Sequence, residues 1–156
     1  MMNVLIGFAS MSGNTEEIMD IIKNQLEKKG CQIKLEEIET LNVQDIPNYD
    51  LVLIGSYTWG DGDLPYEAEE FYEDLDNVDL KGSICGCFGS GDTVYPAYCQ
   101  AVNLFSEKLQ ERGANVFETL LKIEFSPDTR EEVEECENYA NSLYQWAEQE
   151  LIISRR

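Results

Sequence analysis

The chain has 156 residues and a mass of 17.8 kDa, with 43% hydrophobic and 27% charged residues, the size of one domain around one filled core. Its 31 acidic against 11 basic side chains give a formal charge of −20, which repels nucleic-acid phosphates and anionic lipid headgroups and argues against both as partners. Histidine is absent, which excludes Ser-His-Asp and Cys-His catalysis and imidazole metal ligation, so any chemistry must be borrowed from a bound group.

The chain runs from Met1 straight into Val4-Leu5-Ile6-Gly7-Phe8, read as a buried first strand with no basic n-region or cleavage site ahead of it. Ala9 to Gly13 turns the chain. A helix is expected from about Asn14 to Lys29, with Ile18, Ile22 and Leu26 as its apolar stripe, Glu16 and Glu17 in its first turn and Gly30 as its stop. Gln32 to Ile38 alternates Ile33 and Leu35 with polar residues, as an edge strand does. After a polar connection with Pro47, Leu51-Val52-Leu53-Ile54-Gly55 reads as a second buried strand, and 56–65 as a Gly- and Asp-rich stretch too long for a plain turn.

A helix from about Tyr66 to Leu75 leads to a buried strand, Ser83 to Phe88, and then to a Gly-rich loop from Gly89 to Pro96. Ala101, Val102, Phe105 and Leu109 share one side of the next helix, which Gly113 closes. Asn115 to Phe125 reads as an unbroken last strand. Ser126 is expected to cap a final helix with Pro127 at its first position, and Val133, Cys136, Ala140, Leu143 and Ala147 recur along it at spacings of three and four.

Five strands alternating with about five helices, with no repeat and no break in composition, predict an α/β three-layer sandwich in a single domain over 1–156. No apolar run approaches the roughly 20 residues that span a bilayer, so the expected location is the cytoplasm, and −20 favours a monomer. The cysteines, Cys31, Cys85, Cys87, Cys99 and Cys136, are odd in number and widely spread, which predicts reduced thiols, with Cys85 and Cys87 as small core residues on one strand face. In such sheets ligands bind outside the carboxyl ends of the strands. The loops 9–15, 56–65 and 89–98 each follow a buried strand and should converge there.

Ser10-Met11-Ser12-Gly13-Asn14-Thr15 packs three hydroxyls and an amide into a strand-to-helix turn, ahead of a helix whose unpaired N–H groups and dipole favour an anion. Capping explains one such residue; a phosphate cradle explains four. The loop lacks the lysine with which nucleotide hydrolases reach outer phosphates, so a single terminal phosphate fits better. No Lys or Arg occurs in 1–22, 35–80 or 82–107, so neutral donors must hold the anion, while Asp61, Asp63 and Asp92 favour a ligand with N–H donors nearby. Trp59 and Tyr95 sit on two of these loops. An aromatic beside a turn can simply cover the core edge, but two of them beside a phosphate cradle suggest a flat ring between two π-faces. A planar heterocycle tied to one phosphate is the implied ligand.

At these residues the sequence resembles the flavodoxins over essentially its whole length. Ser10 to Thr15 is similar to the family's phosphate loop, Thr58-Trp59-Gly60-Asp61-Gly62 to its first flavin loop, and Gly89-Ser90-Gly91-Asp92 with Tyr95 and Cys99 to its second. The resemblance implies non-covalently bound FMN and a five-stranded parallel sheet of order 2-1-3-4-5. It implies that Ser10, Ser12, Asn14 and Thr15 hold the phosphate with Thr58 close by, that Trp59 and Tyr95 flank the ring, and that Asp92 accepts from the ring N3–H. Met11, Gly13, Ser56, Tyr57, Gly60, Asp61, Ser90, Gly91 and Cys99 complete the implied site. The unbroken run Val116 to Ile123 resembles the short-chain type.

The implied function is a low-potential one-electron carrier without substrate turnover of its own. Its implied partners present basic surfaces, such as an NADP-dependent flavoprotein reductase or an electron-accepting oxygenase. Ala9-Ser10 and Ser56-Tyr57 stand where a phosphoryl-accepting receiver domain of similar topology needs acids. A small FMN-dependent NAD(P)H:quinone or azo reductase remains the alternative on the same fold.

Overall fold

Apolar runs too short for helices become the strands of one parallel sheet in the computed structural model, which describes residues 1–154. Strands β1 (Asn3–Ala9), β2 (Gln32–Glu37), β3 (Leu51–Tyr57) and β4 (Ile84–Gly91) stand in the order β2-β1-β3-β4. Two short segments, β5 (Asn115–Val116) and β6 (Leu121–Glu124), both pair with the free side of β4. The order is therefore the expected 2-1-3-4-5. Side chains alternate across the sheet. Val4, Ile6, Leu51 and Leu53 pack with α1 (Asn14–Lys28) and α4 (Arg130–Ser154), and Leu5, Val52, Ile54, Cys85 and Cys87 with α2 (Tyr66–Asp74) and α3 (Gln100–Glu111). Each such Leu, Ile or Val contributes about 1.5–3 kcal/mol by leaving water.

Four α-helices, rather than about five, occur among the described residues. The β2–β3 connection uses two 3₁₀ turns, Ile38–Thr40 and Val43–Asn48, the second containing Pro47. These turns still bury Ile38, Leu41, Val43 and Ile46 on the α2/α3 face, so that face is covered without a full helix. No helix among the described residues is long and apolar enough to cross a membrane.

Three boundaries differ from the sequence reading, each for a physical reason. Gly89-Ser90-Gly91 is strand, not loop, because β3 and β6 pair with it from both sides. Its glycine is needed for close approach: a Cβ on Gly89 would lie 2.0 Å from the Ser56 carbonyl oxygen. The last strand is broken. Between the partners Cys85–Val116 and Phe88–Leu121, β4 has two residues where the facing chain has the four from Phe117 to Leu120. This bulge lets the Phe117 ring pack 5.1 Å from Trp146 and 5.9 Å from Tyr139 on α4, while its N–H still reaches the Cys85 carbonyl at 2.8 Å.

Helix α4 starts later than Pro127. Thr129 caps it, accepting from Glu132 N–H at 3.1 Å while Glu132 Oε1 accepts from Thr129 N–H at 3.2 Å, a reciprocal capping box. Ser126 instead donates to Asn14 Oδ1 at 2.6 Å, tying α1 to the approach to α4.

Candidate functional site

The carboxyl ends of β1, β3, β4 and β6 meet at one edge of the sheet, where the three atypical loops converge. In the first, Gly13 takes the N-cap of α1 at φ 87 and no side chain caps the helix. The helical ladder starts with Glu17 N–H on the Gly13 carbonyl at 3.0 Å, which leaves the amides of Asn14, Thr15 and Glu16 without a partner inside the helix. The polar side chains have other positions. Ser10 Oγ accepts from Gly13 N–H at 3.1 Å, Asn14 takes the bond from Ser126, and Thr15 shares a buried 2.9 Å hydrogen bond with Ser90. Met11 and Ser12 face the cleft and are exposed.

The second loop closes on itself. Trp59 and Asp63 exchange N–H to carbonyl bonds, both 2.8 Å, around Gly60 at φ 52 and Gly62 at φ 121. Gly62 cannot carry a side chain, because its Cβ would come within 2.8 Å of Ala97 Cβ on the third loop. Thr58 Oγ1 accepts from Ala101 N–H at 3.0 Å, satisfying one amide of α3. Tyr57 donates its hydroxyl to the Glu67 carboxylate, 2.9 and 3.0 Å from its two oxygens. Burial first, then this carboxylate, raises the Tyr57 pKa far above the ordinary tyrosine value.

In the third loop Asp92 Oδ1 accepts from Val94 N–H at 2.9 Å and its carbonyl from Tyr95 N–H at 3.1 Å, forming one tight turn. Cys99 starts α3 in the left-handed region at φ 53, fully buried. A Cβ on Gly91 would lie 2.8 Å from its sulfur, so the sheet edge stays flat there. Burial pushes the Cys99 thiol up to about 11, and Cys85 and Cys136 up to about 12; all five cysteines are free thiols, and these three stay protonated at neutral pH.

The cleft between the loops is lined by Met11, Ser12, Asn14, Tyr57, Thr58 and Gly60, and by Ser90, Gly91, Asp92, Tyr95 and Cys99. Ser10, Gly13, Thr15 and Ser56 stand behind it; Ser56 is buried, its hydroxyl on the Tyr57 carbonyl at 2.8 Å. Asp61 is exposed at the tip of the second loop. Trp59, 54% exposed, lines a neighbouring groove with Met11, Tyr57, Leu64, Tyr66 and Tyr72, whereas Tyr95, 43% exposed, lines the cleft itself. The two rings are therefore not brought into one cavity.

Three further lining residues escaped the sequence reading: Ala97, Tyr98 and Phe125. Tyr98 had a visible signal, as another aromatic in the Tyr95-Pro96-Ala97-Tyr98 run. Phe125 had none, because its place depends on β6 ending in a left-handed turn at φ 54 with its N–H on the Gly91 carbonyl at 2.9 Å. The loops themselves carry no cation. Lys122 on β6 nevertheless stands near enough for its charge to act on the Cys99 thiol, so the edge is not wholly uncompensated.

A parallel α/β sheet whose outer strand order reverses beside β1, with an open helix N-terminus and aromatic loops at that edge, defines a ligand-binding protein of the switch-point class. The family model described as Flavodoxin matches residues 6–139. The chain is 51% identical over 148 residues to probable flavodoxin 1 of Bacillus subtilis (strain 168), covering 95% of this chain and 94% of that one. The crystal structure of oxidised flavodoxin 2 from Bacillus cereus superposes with a TM-score of 0.90 at 48% identity, covering 92% of this chain and 98% of that one. A short-chain flavodoxin associated with a bacterial microcompartment gives 0.88 at 30% identity over 94% and 99% of the two chains. The chain belongs to the flavodoxin family, and is an electron-transfer protein rather than an enzyme with a substrate of its own.

Proposed function

We propose that this flavodoxin holds FMN in the cleft with the residues its loops present, and passes single electrons at low potential. The single observation that carries the reading is the start of α1. Gly13 leaves the helix without a side-chain cap, so the amides of its first turn have no partner inside the helix; Ser12 and Asn14 line the cleft beside them, Ser10 and Thr15 stand behind, and the loops carry no lysine or arginine. A phosphate held by uncharged donors fits that set. The flat floor at Gly91, kept free of a Cβ by Cys99, and the Tyr95 wall fit a planar ring.

FMN, when bound, supplies one-electron chemistry at its ring. The chain's part is to orient and tune it. Tyr95 would cover one side of the ring, and Trp59, exposed in the neighbouring groove, would have to turn toward the cleft to cover the other. Asp92 has a carboxylate oxygen to accept from the ring N3–H, and Ser56, Tyr57, Thr58 and Ser90 fix the strand ends behind it. Gly60, at φ 52, would let the peptide that follows it turn at low steric cost, so that the Gly60 carbonyl could accept from a ring N5–H while the Trp59 carbonyl stays with Asp63 N–H. Asp61, Asp63 and Asp92 resist added negative charge on loops that carry no cation of their own, which would set the second electron at low potential.

The exposed apolar residues Met11, Trp59, Tyr66, Val94 and Tyr95 lie at this edge among acids from Asp61 to Asp79. That pattern suits brief contact with a basic redox partner, an NADP-dependent flavoprotein reductase or an electron-accepting oxygenase. A monomeric single domain in the cytoplasm is consistent with it. The test is an FMN titration of flavin-free protein followed by flavin fluorescence, with absorption spectra oxidised and half reduced. Quenching with a yellow product that takes up electrons singly is the expected result; protein that stays colourless after soaking in FMN overturns the reading.

A further inference from the structure

The third loop is fastened by a residue that lies outside all three. Glu124 ends β6 opposite Gly91, and a single oxygen, Oε2, accepts both the Thr93 N–H at 3.0 Å and the Thr93 hydroxyl. These two bonds hold its carboxyl below the ordinary carboxylate range, as charge-assisted hydrogen bonds to an anion do. The chain then reverses at once: Phe125 takes its left-handed turn and returns its N–H to Gly91. A bulky residue keeps that conformation only where its surroundings hold it. Strand β6 therefore grips β4 and the third loop together.

Within that loop Asp92 and Tyr95 belong to one turn, and Thr93 sits between them. Residues 93–96 are exposed, so the turn has little packing of its own. Its position depends on what it is tied to, and Thr93 is tied to Glu124.

We propose that Glu124 is a positioning residue for the cofactor ring: through Thr93 it fixes the turn that carries Asp92 and Tyr95, on the side of the cleft away from the phosphate. The inference rests on the function proposed above and goes beyond it, since Glu124 is not among the residues that line the cleft. A loop already held in its bound place spends less ordering entropy when the ligand arrives. An exposed ion or hydrogen-bond pair adds little to global stability, so the role should show in ligand affinity and local order rather than in unfolding.

The experiment uses Glu124→Gln, Thr93→Val and the double variant in the full chain. FMN affinity is measured by fluorescence quenching, inorganic phosphate affinity by competition with FMN, and amide hydrogen exchange at Val94 and Tyr95 without flavin. Each single substitution is expected to weaken FMN by about 3- to 10-fold, through loss of preorganisation, while phosphate affinity stays unchanged. Exchange at Val94 and Tyr95 should quicken in both. Each single weakens the same link, Glu124→Gln by taking its charge and Thr93→Val by taking the hydroxyl while the N–H at 93 remains, so the two losses should be less than additive in the double variant. That comparison also removes the effect of the lost charge, which persists in Glu124→Gln whether or not Thr93 is present. Losses that add in the double variant, or exchange that stays at its original rate, overturn the proposal. Failure of the unmodified protein to take up FMN overturns the function instead and is seen before any variant is made.

Discussion

Thr15 Oγ1 and Ser90 Oγ lie 2.9 Å apart in a buried hydrogen bond that joins the first turn of α1 to the end of β4 across 75 residues of chain. One partner belongs to the first loop, proposed to hold the phosphate, and the other to the strand end proposed to face the ring, so the bond sets the distance between those two parts of the cleft. Ser90→Ala leaves the Thr15 hydroxyl buried with no partner, at a cost of about 1–3 kcal/mol. The expected outcome is a lower urea midpoint together with weaker FMN binding. Adding Thr15→Val to Ser90→Ala should restore part of the stability, because no orphaned hydroxyl then remains; equilibrium unfolding of both variants checks this.

Trp59 and Tyr95 separate affinity from stability. Both rings are exposed, Trp59 by 54% and Tyr95 by 43%, so Trp59→Ala and Tyr95→Ala should leave the urea midpoint almost unchanged. Each should weaken FMN by about 0.5–1.5 kcal/mol through the lost stacking contact, and Tyr95, already in the cleft, should give the larger effect. FMN titrations beside urea curves decide the matter, and a substitution that unfolds the protein without altering affinity would contradict these placements.

The buried thiols predict alkaline weakening. Cys85, Cys99 and Cys136 are raised from an ordinary 9.0 to about 12, 11 and 12, in each case first by burial. Below pH 9 both folded and unfolded chains keep these protons, so the full stability is present. As pH rises above 9 the unfolded chain releases them first, and stability falls progressively toward pH 11–12. Tyr57 and Tyr139, also raised by burial, add to the same trend. Urea midpoints measured from pH 7 to 11 should be flat up to about the ordinary thiol pKa and then descend.

Thr129→Ala removes one half of the capping box at α4 and should cost about 0.5–2 kcal/mol, with no change in FMN affinity because the cap lies outside the cleft. Thermal unfolding read beside an FMN titration tests both halves of that statement.

The parts of this fold legible from sequence were those fixed by local periodicity. Ile18, Ile22 and Leu26, and Ala101, Val102, Phe105 and Leu109, are buried as their spacing requires. The illegible parts depend on neighbours distant in sequence. Gly89 and Gly91 look like loop glycines until the strands on either side are known, and Phe117 looks like one more strand residue until Trp146 and Tyr139 stand beside it. Thr129-x-x-Glu132 was readable as a capping box, but Ser126-Pro127 gave a louder signal a few residues earlier. At the site, the loop residues announced themselves by composition. The members supplied by β6 did not, since Glu124 and Phe125 matter only through where that strand happens to end.

The four-residue bulge from Phe117 to Leu120 has one more effect. It leaves the outer margin of the sheet as segments of two and four residues, too brief to template a foreign strand, while the opposite margin, β2, carries Lys34, Glu36 and Glu37. Both margins are thus guarded against amyloid-like stacking, one by interruption and one by charge. Deleting Glu118 and Thr119 would fuse the two pieces into a continuous ribbon, and thioflavin binding by concentrated protein should then rise.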